Sequence, residues 1–434
     1  MDSRASRSTN LAAAGGRMYG LIEDLYPICR SITGDGVRAT LRRLQAELPL
    51  TVHEVPSGTA VFDWAVPQEW NISDAYVKNA AGERVIDFQR HNLHVVSYST
   101  PVRQRMSLAE LRPHLHSLPE QPELIPYRTS YYKETWGFCA SHTTLQALPE
   151  GEYEVVIDSS LKSGSLTYSE LLLQGATDDE VLISCHICHP SLADDNLSGV
   201  AVAVELARAL STLKPRFSYR FVFVPGTIGA ITWLAQNEPQ LGRIKAGLVL
   251  TCVGDAGALT YKRSRQGDSS IDRAFAHLLK QSASGRVIEF YPYGYDERQY
   301  NSPGINLPVG CLMRSQHGQF PEYHTSADDL AFVRPEALGA TFGTILGALR
   351  VLEQNHTYVN TSPKCEPQLG KRGLYGLIGG LDLQSSQLAL LWVLNLSDGT
   401  HSLLEIAERA AMPFDLIAAA AEQLQETGLL VARA

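Results

Sequence analysis

The sequence predicts an α/β fold: a mostly parallel mixed sheet flanked by helices, with an inserted β-rich domain and a C-terminal winged helix. Three observations predict it. Apolar runs rich in β-branched and aromatic residues, at 180–184, 219–224 and 247–252, alternate with segments of helical spacing, the pattern of strands buried on both faces. Between about 56 and 161 the texture changes to short β-type runs with many prolines. Beyond 372, short amphipathic segments precede an isolated strand.

Taken in order, residues 1–17 are rich in Ser, Ala, Gly, Arg and Asn. They lack both the apolar stretch of a signal peptide and the amphipathic pattern of a transit peptide, and read as a disordered tail. Leu21, Ile22 and Leu25, then Val37, Leu41 and Leu44, recur at helical spacing around the turn-like Thr33-Gly34-Asp35-Gly36, which predicts a helical hairpin. The stretch 57–162 has β-type runs at 60–64, 75–77 and 93–97 and an aromatic cluster at Tyr127, Tyr131, Tyr132, Trp136 and Phe138; it reads as the inserted domain. The α/β domain is then 18–56 with 163–357, its helices expected at 197–213, 228–236, 271–281 and 335–353. Residues 358–371, with Pro363 and Pro367, read as a linker, and 372–434 as the winged helix.

Composition narrows the function classes. At 434 residues, 44% apolar and 19% charged, the chain is globular and long enough for two to three domains. Its formal charge of −9 carries no Lys/Arg run, and the expected recognition segment 412–425 contains no basic residue, so nucleic acid is not an expected partner. No run of about 18 apolar residues predicts a membrane span. The 7 cysteines are odd in number and scattered, which argues against a disulfide framework and for a reducing, cytoplasmic setting.

The densest chemical signal is Ser184-Cys185-His186-Ile187-Cys188-His189-Pro190 after a buried strand, followed by Asp194-Asp195-Asn196-Leu197-Ser198-Gly199 at a helix start. Ligands collect at the carboxyl ends of strands in open α/β sheets, so a strand-end His and a helix-start carboxylate can share one metal ion. His186 and His189 stay alternatives as the ligand. An Asp at a helix start is also explained by the helix dipole alone, and Cys185 with Cys188 could be half of a zinc knuckle, although no second pair exists. A second candidate is His324 in Pro321-Glu322-Tyr323-His324-Thr325, which lies among polar residues and not on an apolar face.

Together these segments resemble the aminopeptidase-like family related to di-zinc aminopeptidases and glutaminyl cyclases, a zinc-exopeptidase-like fold. The resemblance rests on His186, on Asp195-Asn196-Leu197-Ser198-Gly199 and on Tyr323-His324-Thr325. It implies zinc as cofactor, with His186, Asp195 and His324 as ligands. Cys188, Thr227 and Cys252 stand where the family has an orienting Asp, a Glu ligand and an Asp ligand, which implies one metal in place of two. Gly226 occupies the place of the expected Glu base; Asp194, Asp255 and Glu322 are the carboxylates that could replace it. The segment around Asp296 and Arg298, with Arg314 and Tyr323, is expected to bind substrate, an Arg by pairing with a carboxylate and Asp296 by holding an amino group. The implied function is a bacterial zinc-dependent aminopeptidase-like hydrolase that cleaves a peptide or amide bond of a small peptide or aminoacyl-type substrate in a biosynthetic pathway. The alternative is a catalytically impaired binding or scaffolding module. Homo-oligomer formation is left open.

Overall fold

The computed structural model describes residues 2–281, 285–374 and 381–433. They fall into two compact units, one holding the chain up to Ser269 together with Arg286–Gly343 and the other holding the rest.

The first unit is built on an eight-stranded sheet in the order Thr51–Pro56, Ser165–Leu173, Ser218–Val224, Glu180–His186, Ile244–Leu250, Val309–Met313, Thr260–Lys262, Arg286–Ile288. The four middle strands pair in parallel, antiparallel pairs flank them on both sides, and the edge pair Thr260–Lys262 with Arg286–Ile288 is again parallel. Every residue of Glu180–His186 and of Ser218–Val224 is buried, which is why these strands read as continuous apolar runs and not as alternating ones. From Glu180–His186 the chain crosses to Ser218–Val224 on one side and then to Ile244–Leu250 on the other, so a topological switch point lies at the carboxyl end of Glu180–His186. His186 is the last residue of that strand.

The inserted segment contributes a four-stranded antiparallel sheet, ordered Arg84–Asp87, Glu69–Lys78, Glu152–Lys162, Val102–Ser107, over its own core of Ala75, Val77, Phe138, Val155 and Ile157. Arg38, from the Asp35–Gln45 helix, joins it through two hydrogen bonds of 2.8 and 2.7 Å to the Glu69 carboxylate.

The expected disordered tail 1–17 is, over its described residues 2–17, helical. A helix spans Asp2–Leu25, with Ala14 and Met18 buried. Three consecutive alanines at 12–14 favour the helix, and glycines let it pack tightly: a Cβ on Gly15 would come 2.1 Å from the Pro335 carbonyl oxygen. The expected linker 358–371 also differs, because Thr357–Asn360 is a strand.

In the second unit that strand is the centre of a three-stranded sheet between Asp398–Ser402 and Leu430–Ala432. The helices Leu381–Leu396, Leu403–Ala410 and Phe414–Glu426 complete the winged helix, the second of them started by a capping box between Ser402 and Glu405. The Ser270–Lys280 helix, expected to cover the large sheet, groups here and pairs Arg273 with Glu405 at 3.4 Å. Among the described residues, no helix is long and apolar enough to cross a membrane.

Candidate metal centre

At the switch point three imidazoles surround one buried carboxylate. His186 Nε2 is 2.9 Å from Asp195 Oδ1, His324 Nε2 is 3.0 Å from Asp195 Oδ2, and His189 Nε2 is 4.0 Å from that second oxygen. His186, His189 and Asp195 offer ligand atoms that all lie within 4.8 Å of one another.

Local structure explains each placement. The Asp194 and Asp195 backbone N–H groups donate to the two oxygens of Asp328 at 2.6 and 3.0 Å, which fixes the turn that presents Asp195. Asn196 Nδ2 donates to the Leu250 carbonyl at 2.9 Å and ties the turn to a neighbouring strand end. His324 has φ 56°, a left-handed conformation uncommon for residues other than Gly. The inserted segment holds it there: Tyr127 N–H donates to the His324 carbonyl at 2.7 Å, and Ser326 N–H donates to the Ile125 carbonyl at 2.9 Å.

Burial works against charge on both Asp195 and His189, and the balance with their neighbours falls differently for the two. Burial pushes Asp195 upward, but His189, His186 and His324 together hold it well below the usual carboxylate range. Burial drives His189 well below its ordinary value, so it is neutral at pH 7, the form in which imidazole binds a metal. Three imidazoles and one carboxylate suit zinc, whose sites are built from such donors.

A cavity of about 320 Å³ opens onto the centre, and His189, His324, Gly226, Thr227, Tyr295 and Arg298 are among its lining residues. Tyr127, Tyr131 and Tyr132 from the inserted segment complete its wall. Tyr295 is the feature that sequence reasoning missed. Its ring packs on His186 at 4.2 Å between centroids, and its hydroxyl donates to the Gly226 carbonyl at 2.9 Å. A Cβ on Gly226 would come 1.9 Å from Tyr295 Cε1, so the ring occupies the space into which a side chain at 226 would grow. Cys188, also buried, lies beside it with Sγ 3.5 Å from the Tyr295 hydroxyl, and burial pushes this thiol up to about 12.

The other expected site residues are placed differently. Of the residues expected to bind substrate, only Arg298 lines the cavity. Arg314 donates to Thr341 Oγ1 at 3.1 Å and to the carbonyls of Gly257 and Ala337 at 2.8 and 3.0 Å, which leaves no fork for a substrate carboxylate. Asp296 is buried, its oxygens without a hydrogen-bond partner among the described residues; burial pushes it up to about 7 although His186 pulls the other way. It does not line the cavity, so it is not placed to hold a substrate amino group. Tyr323 stacks on His324, ring centroids 4.0 Å apart, and supports that ring instead of lining the cavity. Asp255 accepts from Ser315 Oγ and N–H, both at 3.0 Å, and Asp194 accepts from Gly254 N–H at 2.7 Å, so both brace loops. Glu322 is half-buried and does not line the cavity; its carbonyl accepts the Thr325 N–H at 3.1 Å. His189 and Tyr295 had a signal in the sequence, the tight His-Ile-Cys-His run and a Tyr beside Asp296, but nothing local shows which way either ring turns.

Comparison with known proteins agrees with this architecture. The family described as "Domain of unknown function (DUF4910)" matches residues 19–355, and a winged helix-turn-helix family matches 356–432. A protein of Clostridium acetobutylicum, provisionally named a polysaccharide biosynthesis protein with aminopeptidase-like domain, is 53% identical over 423 residues, 97% of each chain. A crystal structure from Clostridium acetobutylicum, provisionally called a peptidase, is 51% identical with a TM-score of 0.94 over 99% of both chains. A zinc aminopeptidase from Bacillus subtilis shares the fold at 12% identity and a TM-score of 0.57, covering 78% of this chain and 94% of its own. The chain therefore belongs to the DUF4910 family, as an aminopeptidase-like domain protein with a winged helix-turn-helix at its C-terminal end.

Proposed function

We propose that this protein is a zinc-dependent hydrolase of the aminopeptidase type that cleaves an amide bond of a small substrate. One observation carries the reading: Asp195 lies between His186 and His324, with His189 alongside, and His189 and His324 line a cavity of about 320 Å³. His186, Asp195, His324 and His189 would hold the metal, which when bound supplies Lewis acidity toward a carbonyl oxygen. Asp328 positions Asp195 through two backbone N–H groups, and the left-handed backbone at His324 is braced by Tyr127. Arg298 gives the cavity a cation for an anionic part of the substrate. Among the described residues no carboxylate lines the cavity, so the site lacks the roughly 10²–10⁴-fold that a positioned general base contributes. The 53%-identical relative is named for polysaccharide biosynthesis, and we take the same setting for this chain.

A second reading has its own support: Tyr295 fills the space next to Gly226, as expected of a scaffold that binds without turning over. Elemental analysis of the purified protein and of His324→Ala, with amide hydrolysis measured on both, separates the two. Roughly one zinc per chain, lost together with hydrolysis in the variant, is the expected result. No bound metal even after zinc addition would refute the hydrolase and leave the binding module.

A further inference from the structure

A second cavity shares a wall with the one at the metal centre. It measures about 360 Å³ and is lined by Phe62, Asp63, Trp64, Ile231, Glu238 and Gln299 among others; Trp64 and Ile231 face both cavities. The wall is the tip of a hairpin. Ala60–Val61 pairs with Trp64–Ala65 through Val61↔Trp64, so Phe62 and Asp63 form a two-residue turn.

That turn is built against local preference. Phe62 has φ 56°, where Gly, Asn or Asp is usual and a side chain of another type costs about 1–2 kcal/mol. The ring is left half in water, being 51% exposed; Trp64 is 50% and Tyr132 52% exposed. Trp64 and Tyr132 are in contact, ring centroids 5.4 Å apart. Among the described residues the only other aromatic exposed to that degree is Tyr293, so three of the four gather around this pair of cavities. A strained turn that holds aromatic faces in water points to a ligand and not to folding.

The polar groups say what kind of ligand. Among the described residues no basic side chain lines the second cavity, while Asp63 and Glu238 bring carboxylates, so phosphate or another anion is repelled there. A wholly apolar group would strip water from those carboxylates without replacing their hydrogen bonds. Gln299 and Ser302 add neutral donors and acceptors, which serve hydroxyls and have no special use for an ammonium group. A pyranose ring meets all of these: its C–H face, slightly positive, lies against the negative face of an indole, and its hydroxyls donate to carboxylate oxygens at the edge.

We propose that the second cavity is a sugar subsite, with Trp64 as the platform for a pyranose ring whose linked amide reaches the metal centre. The reach to the metal centre rests on the hydrolase reading; the subsite itself does not. The test is saturation-transfer NMR with tryptophan-fluorescence titration on the full chain, using methyl glucoside and N-acetylglucosamine as probes and arginine amide as the basic counterpart. The parent should bind the sugars in the millimolar range, Trp64→Ala about 10-fold more weakly, and Trp64→Phe close to the parent, with metal content the same in all three. Sugar binding that is absent, or equal in parent and Trp64→Ala, would overturn the proposal. Tighter Trp64-dependent binding of arginine amide would also overturn it and assign the cavity to a basic peptide side chain. A metal-free parent that still binds sugar refutes the hydrolase alone, whereas a metal-loaded parent that binds none refutes the subsite alone.

Discussion

Replacing Gly226 by alanine probes the exchange that sets this site apart from its resemblance, a tyrosine ring in the space of a side chain. The added Cβ would lie 1.9 Å from Tyr295 Cε1 and 2.8 Å from Cδ1 and Cζ, against ordinary carbon contacts of about 3.5–4.0 Å. The ring cannot yield freely, because its hydroxyl donates to the Gly226 carbonyl at 2.9 Å and its face packs on His186. Overpacking of this kind and loss of the hydrogen bond together predict a cost of about 2–4 kcal/mol. In a Tyr295→Ala background the clash disappears and the same substitution should cost less than about 1 kcal/mol, giving a coupling of about 2 kcal/mol in a double-mutant cycle. Urea unfolding of the four proteins measures it. Costs that add to within about 0.5 kcal/mol would refute the contact and with it the account of why a glycine stands at 226. The functional counterpart is Gly226→Glu: alone it should give no gain in amide hydrolysis, because the ring blocks the carboxylate, whereas with Tyr295→Ala it should gain up to about 10²–10⁴-fold.

Two further outcomes follow from packing and charge. Gly15→Ala should raise helix propensity by about 1 kcal/mol yet destabilise the protein overall, because the Cβ would sit 2.1 Å from the Pro335 carbonyl; a higher urea midpoint would show that the N-terminal helix does not pack as described. The Arg38 guanidinium holds the Glu69 carboxyl at about 2, so its stabilising contribution is full above the unfolded value near 4.3 and is lost as pH falls toward 2. Screened by solvent, it is worth about 1–3 kcal/mol, and Glu69→Gln should flatten the acid limb of a urea-midpoint profile; an unchanged slope would count against the ion pair.

The sequence by itself determined the class of fold and the chemistry available to it. Buried parallel strands announce themselves as continuous apolar runs, and their alternation with helical spacing requires no knowledge of what packs on what. His186 and Asp195 were legible because strand ends and helix starts in such a sheet converge on one side, His324 only through the resemblance of Tyr323-His324-Thr325, and the structure brings both imidazoles within hydrogen-bonding distance of Asp195. Periodicity did not reveal the direction of single side chains. Arg314 and Asp255 sit near the site in sequence but are taken up by Gly257, Ala337 and Ser315, while His189 and Tyr295 turn inward beside His186. The N-terminal helix escaped because its polar composition hides an Ala–Gly face that is useful only against Pro335 and Gly339. Spacing is a local property of the chain, readable along a few residues. The partner of a buried charge or ring comes from 30 to 200 residues away, as the bonds from Arg38 to Glu69 and from Ile125 to Ser326 show, and only the folded packing chooses it.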